Sequence, residues 1–206
     1  MEITFFMKGL IIGFSIAAPV GPIGVLCIQR TIAYGKISGL FTGLGAATAD
    51  GLYGAVAAFG LTIISNFLVG QQFWFRLIGG AFLLYLGIKT FLSKPAEKAA
   101  TENHKGLFSD YLSTVFLTLT NPTTILSFVA VFAGLGLGSI NGNTPSAILM
   151  VAGVIVGSAL WWLILSGGVG LFREKFNMSA LAILNKISGT IIFIFAILAF
   201  VSIFVR

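Results

Sequence analysis

The amino-acid sequence predicts an all-α polytopic membrane protein whose six transmembrane helices form two inverted three-helix repeats, with helices 1 and 4 broken. The first observation is composition: of 206 residues, 57% are hydrophobic and only 9% are charged, whereas a soluble domain has about 25% charged residues. The second is length, because each apolar run has the roughly 20 residues that cross about 30 Å of hydrocarbon. The third is that prolines interrupt the first and fourth runs, so each half of the chain begins with a broken helix, as inverted repeats predict.

Six apolar runs are separated by polar segments. In order, they cover 5–28, 37–65, 67–92, 111–135, 146–172 and 187–205. The one long polar connector, 93–110, divides a single membrane domain, 1–206, into a first half, 1–92, and a second half, 111–206. Because each half has an odd number of runs, the halves would insert with opposite orientations.

The first run contains Pro19, Gly21 and Pro22, which we call the first break. Proline removes a backbone donor and clashes with the preceding turn, so it kinks or opens a helix. Irregular backbone at membrane depth is tolerated where it is buried in protein or lines a watery cavity. Two prolines that flank a glycine favour an opened segment over a packing kink. Since the run has no basic segment before it and continues past the prolines, we predict a retained span rather than a signal peptide.

The second run carries one carboxylate, Asp50, on a stripe of small residues. The stripe, at steps of three or four, consists of Gly39, Gly43, Ala47, Asp50, Gly54 and Ala58. Small residues let a neighbouring helix approach closely, so we expect Asp50 to face the protein interior. A carboxylate in hydrocarbon costs roughly 2.5–3.5 kcal/mol on insertion scales. This favours a cation-binding or proton-accepting group; the alternative is a core aspartic acid that only positions helices.

The fourth run is interrupted by Asn121 and Pro122, the second break, and threonines flank it. Their hydroxyls could satisfy carbonyls that proline releases or could form polar walls of a cavity. Trp161 and Trp162 in the fifth run lie too deep for an interfacial belt, which suggests a gate or cation–π surface, with core packing as the alternative. We expect one site that includes Asp50, Pro19, Gly21, Pro22, Asn121, Pro122, Thr48, Tyr53 and Trp161.

The halves also show a faint internal repeat. Residues 76–81 (RLIGGA) resemble residues 185–190 (NKISGT) in the third and sixth runs. In the second and fifth runs, Gly43 aligns with Gly153 and Thr48 with Ser158. Chance matching of common helix residues is the alternative to a true repeat. An inverted repeat predicts a binding site near the midplane, where the two breaks meet.

Basic residues predict the orientation. Nine lie at the end of, or after, the first, third and fifth runs: Arg30, Lys36, Lys89, Lys94, Lys98, Lys105, Arg173, Lys175 and Lys186. Three lie at the other face: Lys8, Arg76 and Arg206. Because cytoplasmic loops carry the excess of Lys and Arg, both termini are predicted to lie outside.

Several classes of protein and site are excluded. The net charge of +6 is explained by these helix-end residues, and no Lys/Arg block with interleaved aromatics suggests nucleic-acid binding. One cysteine, Cys27, cannot form a disulfide framework or a CxxC motif. The single histidine, His104, lies in the charged connector. No cofactor and no metal site are therefore expected.

A resemblance to a known family rests on the residues already described. The matching positions are 13–24 (GFSIAAPVGPIG), 35–39, Gly43-Leu-Gly45, Ala49-Asp50 and Asn121-Pro122. They resemble the signature of the LysE/RhtB family of amino-acid exporters, and the six-span layout with a polar central connector is similar too. Many members read Pro-Gly-Pro, whereas Val20 intervenes here, and many carry a lysine where this chain has Thr123.

The resemblance implies a bacterial inner (plasma) membrane exporter of amino acids or related small molecules, driven by proton or ion gradients without ATP hydrolysis. In that reading, the first break is a flexible binding segment, and the second break is the opposing half-site. Asp50 alternates between a proton and the positive group of the substrate. The partners are then a small-molecule substrate and the lipid bilayer, and the small-residue faces permit a homodimer.

Two other functions remain open. An ion or metal permease would need more oxygen, nitrogen or sulfur ligands than one deep carboxylate supplies. A non-transporting scaffold or assembly protein would need no accessible cavity. An intramembrane enzyme is not expected, because Asp50 has no deep acidic companion with which to share a proton.

Overall fold

The computed structural model describes residues 2–19, 21–59, 70–92, 106–121, 124–125, 127–128, 144–172 and 178–204. These residues contain seven helices: α1 Glu2–Ala17, α2 Pro22–Tyr34, α3 Lys36–Ala58, α4 Gln72–Leu92, α5 Leu107–Leu119, α6 Thr144–Phe172 and α7 Met178–Phe204. Residues 124–125 and 127–128 are also helical. The described part of the chain has no strand, so the all-α prediction is confirmed.

Three helices are long and apolar enough to cross a membrane. They cover Phe73–Leu92 in α4, Thr144–Phe172 in α6 and Ala182–Val201 in α7. Ile3–Ala17 and Pro22–Tyr34 meet the same standard only together, as one broken span bent by 79°. α3, with 23 residues, is long enough but less apolar, because glycines, threonines and Asp50 interrupt it. The described residues thus provide three or four spans by length and composition, and the count of six stays a prediction.

Two boundaries predicted from polarity are wrong. Arg30 lies within α2 rather than in a polar turn, and only Gly35 separates α2 from α3. Gly35 has φ 105°, a conformation that glycine adopts far more readily than other residues, so one residue reverses the chain. Asp110 lies in the first turn of α5 rather than in the polar connector. Charge was a poor guide to exposure here, because Arg30 and Asp110 pair inside the protein.

The start of the last helix also differs. α7 begins at Met178, so Lys186 lies inside that helix rather than in the connector predicted before residue 187. The exposed Lys186 interrupts the apolar run without interrupting the helix. A long lysine can keep its charged end in water while its stem packs on the protein.

α1 packs closely along α6, and the two helices run in the same direction. A Cβ at any of four glycines would collide with backbone of the other helix: Gly9, Gly13, Gly153 and Gly157. The contacts keep register, since Phe6 lies against Gly153 and Leu10 lies against Gly157, one turn later on both helices. Glycine permits this approach because it has no side chain to hold the backbones apart.

α3 lies between α6 and α5. It runs antiparallel to α6, because Gly43 meets Trp162 and Gly54 meets Val154. It runs parallel to α5, because Gly45 meets Tyr111 at one end of their contact, and Tyr53 bonds Leu119 at the other. The predicted small-residue stripe therefore does pack against neighbouring helices.

α4 and α7 form a separate antiparallel pair. Gly80 lies against Phe200, and Gly87 lies against Phe193 and Gly189. α2 folds back on α3 through Gly35 and also contacts α6 and α7. The core cluster that includes Cys27, Ala46, Leu83, Leu117 and Ile192 joins α2, α3, α4, α5 and α7. This arrangement surrounds the first break with helices from both halves.

Candidate functional site

The first break separates α1 from α2. Gly21 precedes α2, whose first residue is Pro22, a residue that suits a helix start because its missing N–H would have had no helical acceptor. The first helical hydrogen bond runs from the Val25 amide to the Gly21 carbonyl at 3.1 Å. The amides of Ile23 and Gly24 precede that bond, so they lack acceptors within α2. The start of α2 therefore presents two amide donors at the positive end of a helix.

The second break follows α5. The Asn121 amide donates to the Thr118 carbonyl at 3.1 Å, and the Ile125 amide donates to the Asn121 carbonyl at 3.3 Å. The Thr120 hydroxyl donates to the Phe116 carbonyl at 2.9 Å. The Phe116 carbonyl also accepts the Thr120 amide, so it is not a carbonyl that the proline releases, and Thr120 lines the cavity described below as well; neither interpretation of the threonines is decided. Pro122 lies outside the described residues.

Thr118, in the last turn of α5, behaves differently. Its side chain is buried, with 1% of the residue exposed. Its hydroxyl has no hydrogen-bond partner within the described residues. A buried polar group without a partner is uncommon in proteins and calls for a physical reason.

Asp50 lies in the middle of α3 with 3% of its surface exposed, so the prediction that it faces the interior is confirmed. The Ser158 hydroxyl on α6 donates to Asp50 Oδ2 at 2.7 Å, and Trp162 Nε1 donates to Ser158 Oγ at 3.2 Å. The ion pair between Arg30 and Asp110 lies elsewhere. A hydroxyl, rather than a cation, therefore orients the Asp50 carboxylate.

A cavity of about 450 Å³ brings the two breaks and Asp50 together. Its lining includes Pro19, Gly21, Pro22, Asp50 and Asn121. Ligand pockets commonly measure about 300–1,000 Å³. The rest of the lining divides into hydroxyl groups and an apolar wall. The hydroxyl groups are Thr118, Thr120, Thr124 and Ser127, and the larger apolar side chains are Ile16, Ile23, Leu83, Leu117, Trp162, Phe195 and Leu198.

Two predicted site residues on α3 lie outside the cavity lining. The Thr48 hydroxyl donates to the Leu44 carbonyl at 2.9 Å and accepts from the Tyr111 hydroxyl at 3.0 Å. The Tyr53 hydroxyl donates to the Leu119 carbonyl at 2.6 Å. These contacts hold α3 against α5, and a direct role in binding stays a prediction for both residues.

The two tryptophans of α6 point in different directions. Trp161 packs edge-on against Phe14 of α1, with ring centroids 5.5 Å apart, whereas Trp162 lines the cavity. Successive residues of a helix are rotated by about 100°, so adjacent side chains cannot share a face. Ser158, Trp162 and Ser166 recur at steps of four and are buried, a helical pattern that could have indicated the inward face.

Arg30 forms a buried polar network that sequence reasoning missed. Its Nε lies 3.3 Å from Asp110 Oδ1. Its Nη1 donates to the Thr42 hydroxyl at 3.2 Å, the Thr114 hydroxyl at 3.2 Å and the Asp110 carbonyl at 3.0 Å. Its Nη2 donates to the Ser113 hydroxyl at 2.9 Å. We call Arg30, Asp110 and these partners the Arg30 network.

The Arg30 network ties three helices together on one side of the cavity. Ser38 of α3 donates to Asp110 Oδ2 at 2.6 Å, which completes the link between α2, α3 and α5. Arg30 lies eight residues after Pro22, about 12 Å along α2 at 1.5 Å per residue. The network therefore lies beyond the cavity, where α2 turns into α3.

No group of three or more His, Cys, Asp or Glu side chains in the described residues is arranged to hold a metal ion. Asp50 is the one acidic residue that lines the cavity there. The lining's hydrogen-bonding groups are otherwise hydroxyls, the Asn121 amide, backbone and the Trp162 indole N–H, which donates to Ser158. Chemically, the site can attract one positive charge and can donate hydrogen bonds to an anionic group.

Comparison with known proteins identifies one family and several relatives. The family described as "LysE type translocator" matches residues 14–202. The chain is similar to the "Putative amino acid efflux protein YcgF" of Bacillus subtilis, with 28% identity over 93% of both chains. It is similar to "Uncharacterized membrane protein YahN" of Escherichia coli, with 28% identity over 82% of this chain and 77% of that one.

A further relative is "Uncharacterized membrane protein YrhP" of Bacillus subtilis, with 24% identity over 84% of this chain and 87% of that one. No solved structure matches the chain. The family match spans both breaks, Asp50 and the whole cavity lining.

Proposed function

The chain belongs to the LysE type translocator family, and on that premise we propose that it is a secondary active exporter of amino acids or related small amine-bearing molecules. Membership makes it a multi-pass membrane transporter and not an enzyme. The direction of transport and the substrate class follow the name of the relative in Bacillus subtilis, "Putative amino acid efflux protein YcgF". The observation that carries the proposal is the Asp50 carboxylate, which lines a cavity between two broken helices.

Asp50 suits an amine because it offers a charge that no cation of the described residues neutralises. Ser158 occupies Oδ2 and leaves Oδ1 for a ligand. A proton and a substrate ammonium each neutralise the carboxylate, so the two compete. Exchange of one for the other on opposite sides of the membrane couples export to an inward proton gradient, and an inorganic cation could couple in the same way.

Alternating access needs a site that opens to one side at a time. The Arg30 network closes the end of the bundle where α2, α3 and α5 meet. The positive-inside rule places that end at the cytoplasm and both termini outside a bacterial inner membrane. The described arrangement thus corresponds to a state shut toward the cytoplasm.

The helix directions support six spans in two inverted repeats. α1 lies parallel to α6, and α3 lies parallel to α5, as expected if the first and fourth runs are equivalent and the second and fifth are equivalent. α3 and α6, and likewise α4 and α7, are antiparallel pairs that a pseudo-two-fold axis would exchange. Small-residue faces that are not used within one chain also permit a homodimer.

The test is export from proteoliposomes that carry a pH gradient and a panel of radiolabelled amino acids. Asp50→Asn keeps the size of the side chain and removes its charge, so we expect normal insertion and loss of gradient-driven export. Leu52→Ala is the control, because Leu52 is half-exposed on the same helix and does not line the cavity.

Export by Asp50→Asn at the wild-type rate would rule out the role of the carboxylate. If the wild-type protein instead carries Mn²⁺ and no amino acid, the protein is an ion permease. If nothing moves and a cysteine at Ser127 cannot be labelled by a water-soluble thiol reagent, a scaffold function gains support.

A further inference from the structure

The Thr118 hydroxyl has no structural task in the described residues. Thr114, one turn earlier on α5, donates to the Asp110 carbonyl at 2.8 Å, and Thr120 donates to the Phe116 carbonyl. Thr118 makes no such bond although it is equally buried. Valine would fit the same space without leaving a buried donor unpaired, so a hydroxyl here lowers stability unless something in the cavity binds it.

Thr118 lies at nearly the same depth as Asp50. Gly45 of α3 meets Tyr111 of α5, and eight residues later on both helices Tyr53 meets Leu119. Because α3 and α5 run parallel in this register, Asp50 and Thr118 are within about one helical turn of each other along the bundle. Both residues line the cavity, so one small ligand can contact both.

The start of α2 is the second donor group on the cavity. The amides of Ile23 and Gly24 have no acceptor within α2, and both residues line the cavity. Amides at the start of a helix attract carboxylates and phosphates. With the unpartnered Thr118 hydroxyl, they form an anion-binding group that faces the same space as the Asp50 carboxylate.

The remaining wall is apolar. Leu83 of α4, Leu117 of α5, and Phe195 and Leu198 of α7 line it. Asp50 is the one charged side chain in the described lining. A second charge on the side chain of a substrate would lie against this wall without a partner, which is costly.

We propose that the cavity binds an α-amino acid with an apolar side chain, and that Thr118 hydrogen-bonds its carboxylate while Asp50 binds its ammonium. This inference rests on the proposed export function and deepens it. The backbone amides of Ile23 and Gly24 also donate to the substrate carboxylate, and the substrate side chain packs against the apolar wall. Dibasic and acidic amino acids are poor ligands, because the apolar wall has no partner for the charge on their side chains.

The experiment combines binding and stability of the purified full chain. The probes are L-leucine and 3-methylbutylamine, which is leucine without its carboxyl group, together with L-lysine and L-glutamate. Thr118→Val should weaken L-leucine binding roughly 10- to 100-fold, the range expected for a hydrogen bond to a charged group. It should leave the affinity for 3-methylbutylamine within about 2-fold, and Thr118→Ser should restore leucine binding.

Stability separates this role from a structural one. Removing an unpaired hydroxyl should maintain or raise the melting temperature of Thr118→Val, whereas Thr120→Val, which loses a bond to a backbone carbonyl, should melt lower. A lower melting temperature for Thr118→Val with equal loss of both ligands would overturn the inference.

Wild-type protein that binds 3-methylbutylamine as tightly as L-leucine, or that prefers L-lysine or L-glutamate, would overturn it too. These outcomes leave Asp50-dependent export intact, so they are distinguishable from failure of the proposed function. If the wild-type protein exports none of the probes, the proposed export function and this inference are both refuted.

Discussion

Replacing Arg30 with methionine is the sharpest test of the described packing. Arg30 is 8% exposed and Asp110 is 5% exposed. The guanidinium uses all three nitrogens, with five contacts to α3 and α5. Methionine is similar in length but donates no hydrogen bond, so Asp110 keeps its bond from Ser38 and loses its counter-charge.

The expected loss of unfolding free energy comes from the Asp110 charge, which stays buried without its partner. Removing one partner of a buried ion pair leaves an uncompensated charge and costs about 3–5 kcal/mol, against at most about 1 kcal/mol for an exposed pair. The double variant Arg30→Met/Asp110→Asn removes both charges, so it should be less destabilised than the sum of the two single variants. We expect a coupling free energy of about 1–3 kcal/mol between the two positions.

The assay is reversible unfolding in mixed micelles, followed by tryptophan fluorescence. Lys186→Met is the matched control, because Lys186 is exposed and basic, and its change should stay within about 0.5 kcal/mol. A cost below about 1 kcal/mol for Arg30→Met, or strict additivity in the double variant, would refute a buried pair.

Two further predictions concern α6. Ser158→Ala removes the hydrogen bond that Ser158 donates to Asp50 and should raise the KM for the exported amino acid about 10- to 100-fold in proteoliposomes, as loss of one hydrogen bond to a charged group implies; an unchanged KM would show that Ser158 does not orient the carboxylate. Gly157→Ala places a Cβ against the Leu10 carbonyl and should cost about 1–3 kcal/mol in unfolding experiments. At Gly167, where a Cβ meets open space, alanine should stabilise α6 by about 0.5–1 kcal/mol, and equal effects at the two glycines would contradict the close α1–α6 packing.

Local chemistry in the sequence was enough to predict the two breaks and the inward face of Asp50. Proline cannot donate a helical hydrogen bond wherever it lies, so Pro19 and Pro22 had to interrupt the first run. The spacing of small residues then placed Asp50 on the packed side of its helix. Both conclusions depend on residues close together in the chain, which is why they needed no knowledge of the fold.

Polarity failed as a guide where two distant charges meet. Arg30 and Asp110, 80 residues apart, were predicted in polar connectors, because either one alone belongs in water. Pairing makes both tolerable inside the bundle, and pairing is invisible in local sequence. The sequence could not decide whether Trp161 or Trp162 faces the cavity for a related reason: two adjacent large side chains predict a buried helix but not which of them faces inward, and Trp162 is the one that lines the cavity.

The sequence by itself determined the all-α membrane class, the positions of the helix breaks and the presence of a single deep carboxylate. The tertiary structure decided what surrounds that carboxylate: Ser158 on its Oδ2, Trp162 behind it, and the unpartnered Thr118 hydroxyl at similar depth. These neighbours lie 68 to 112 residues after Asp50 in the chain, and close helix contacts at glycines, together with hydrogen bonds between helices, bring them near it. Helix periodicity predicts which residues lie on the same face of one helix. The packing of helices against each other determines which residues of different helices form one site.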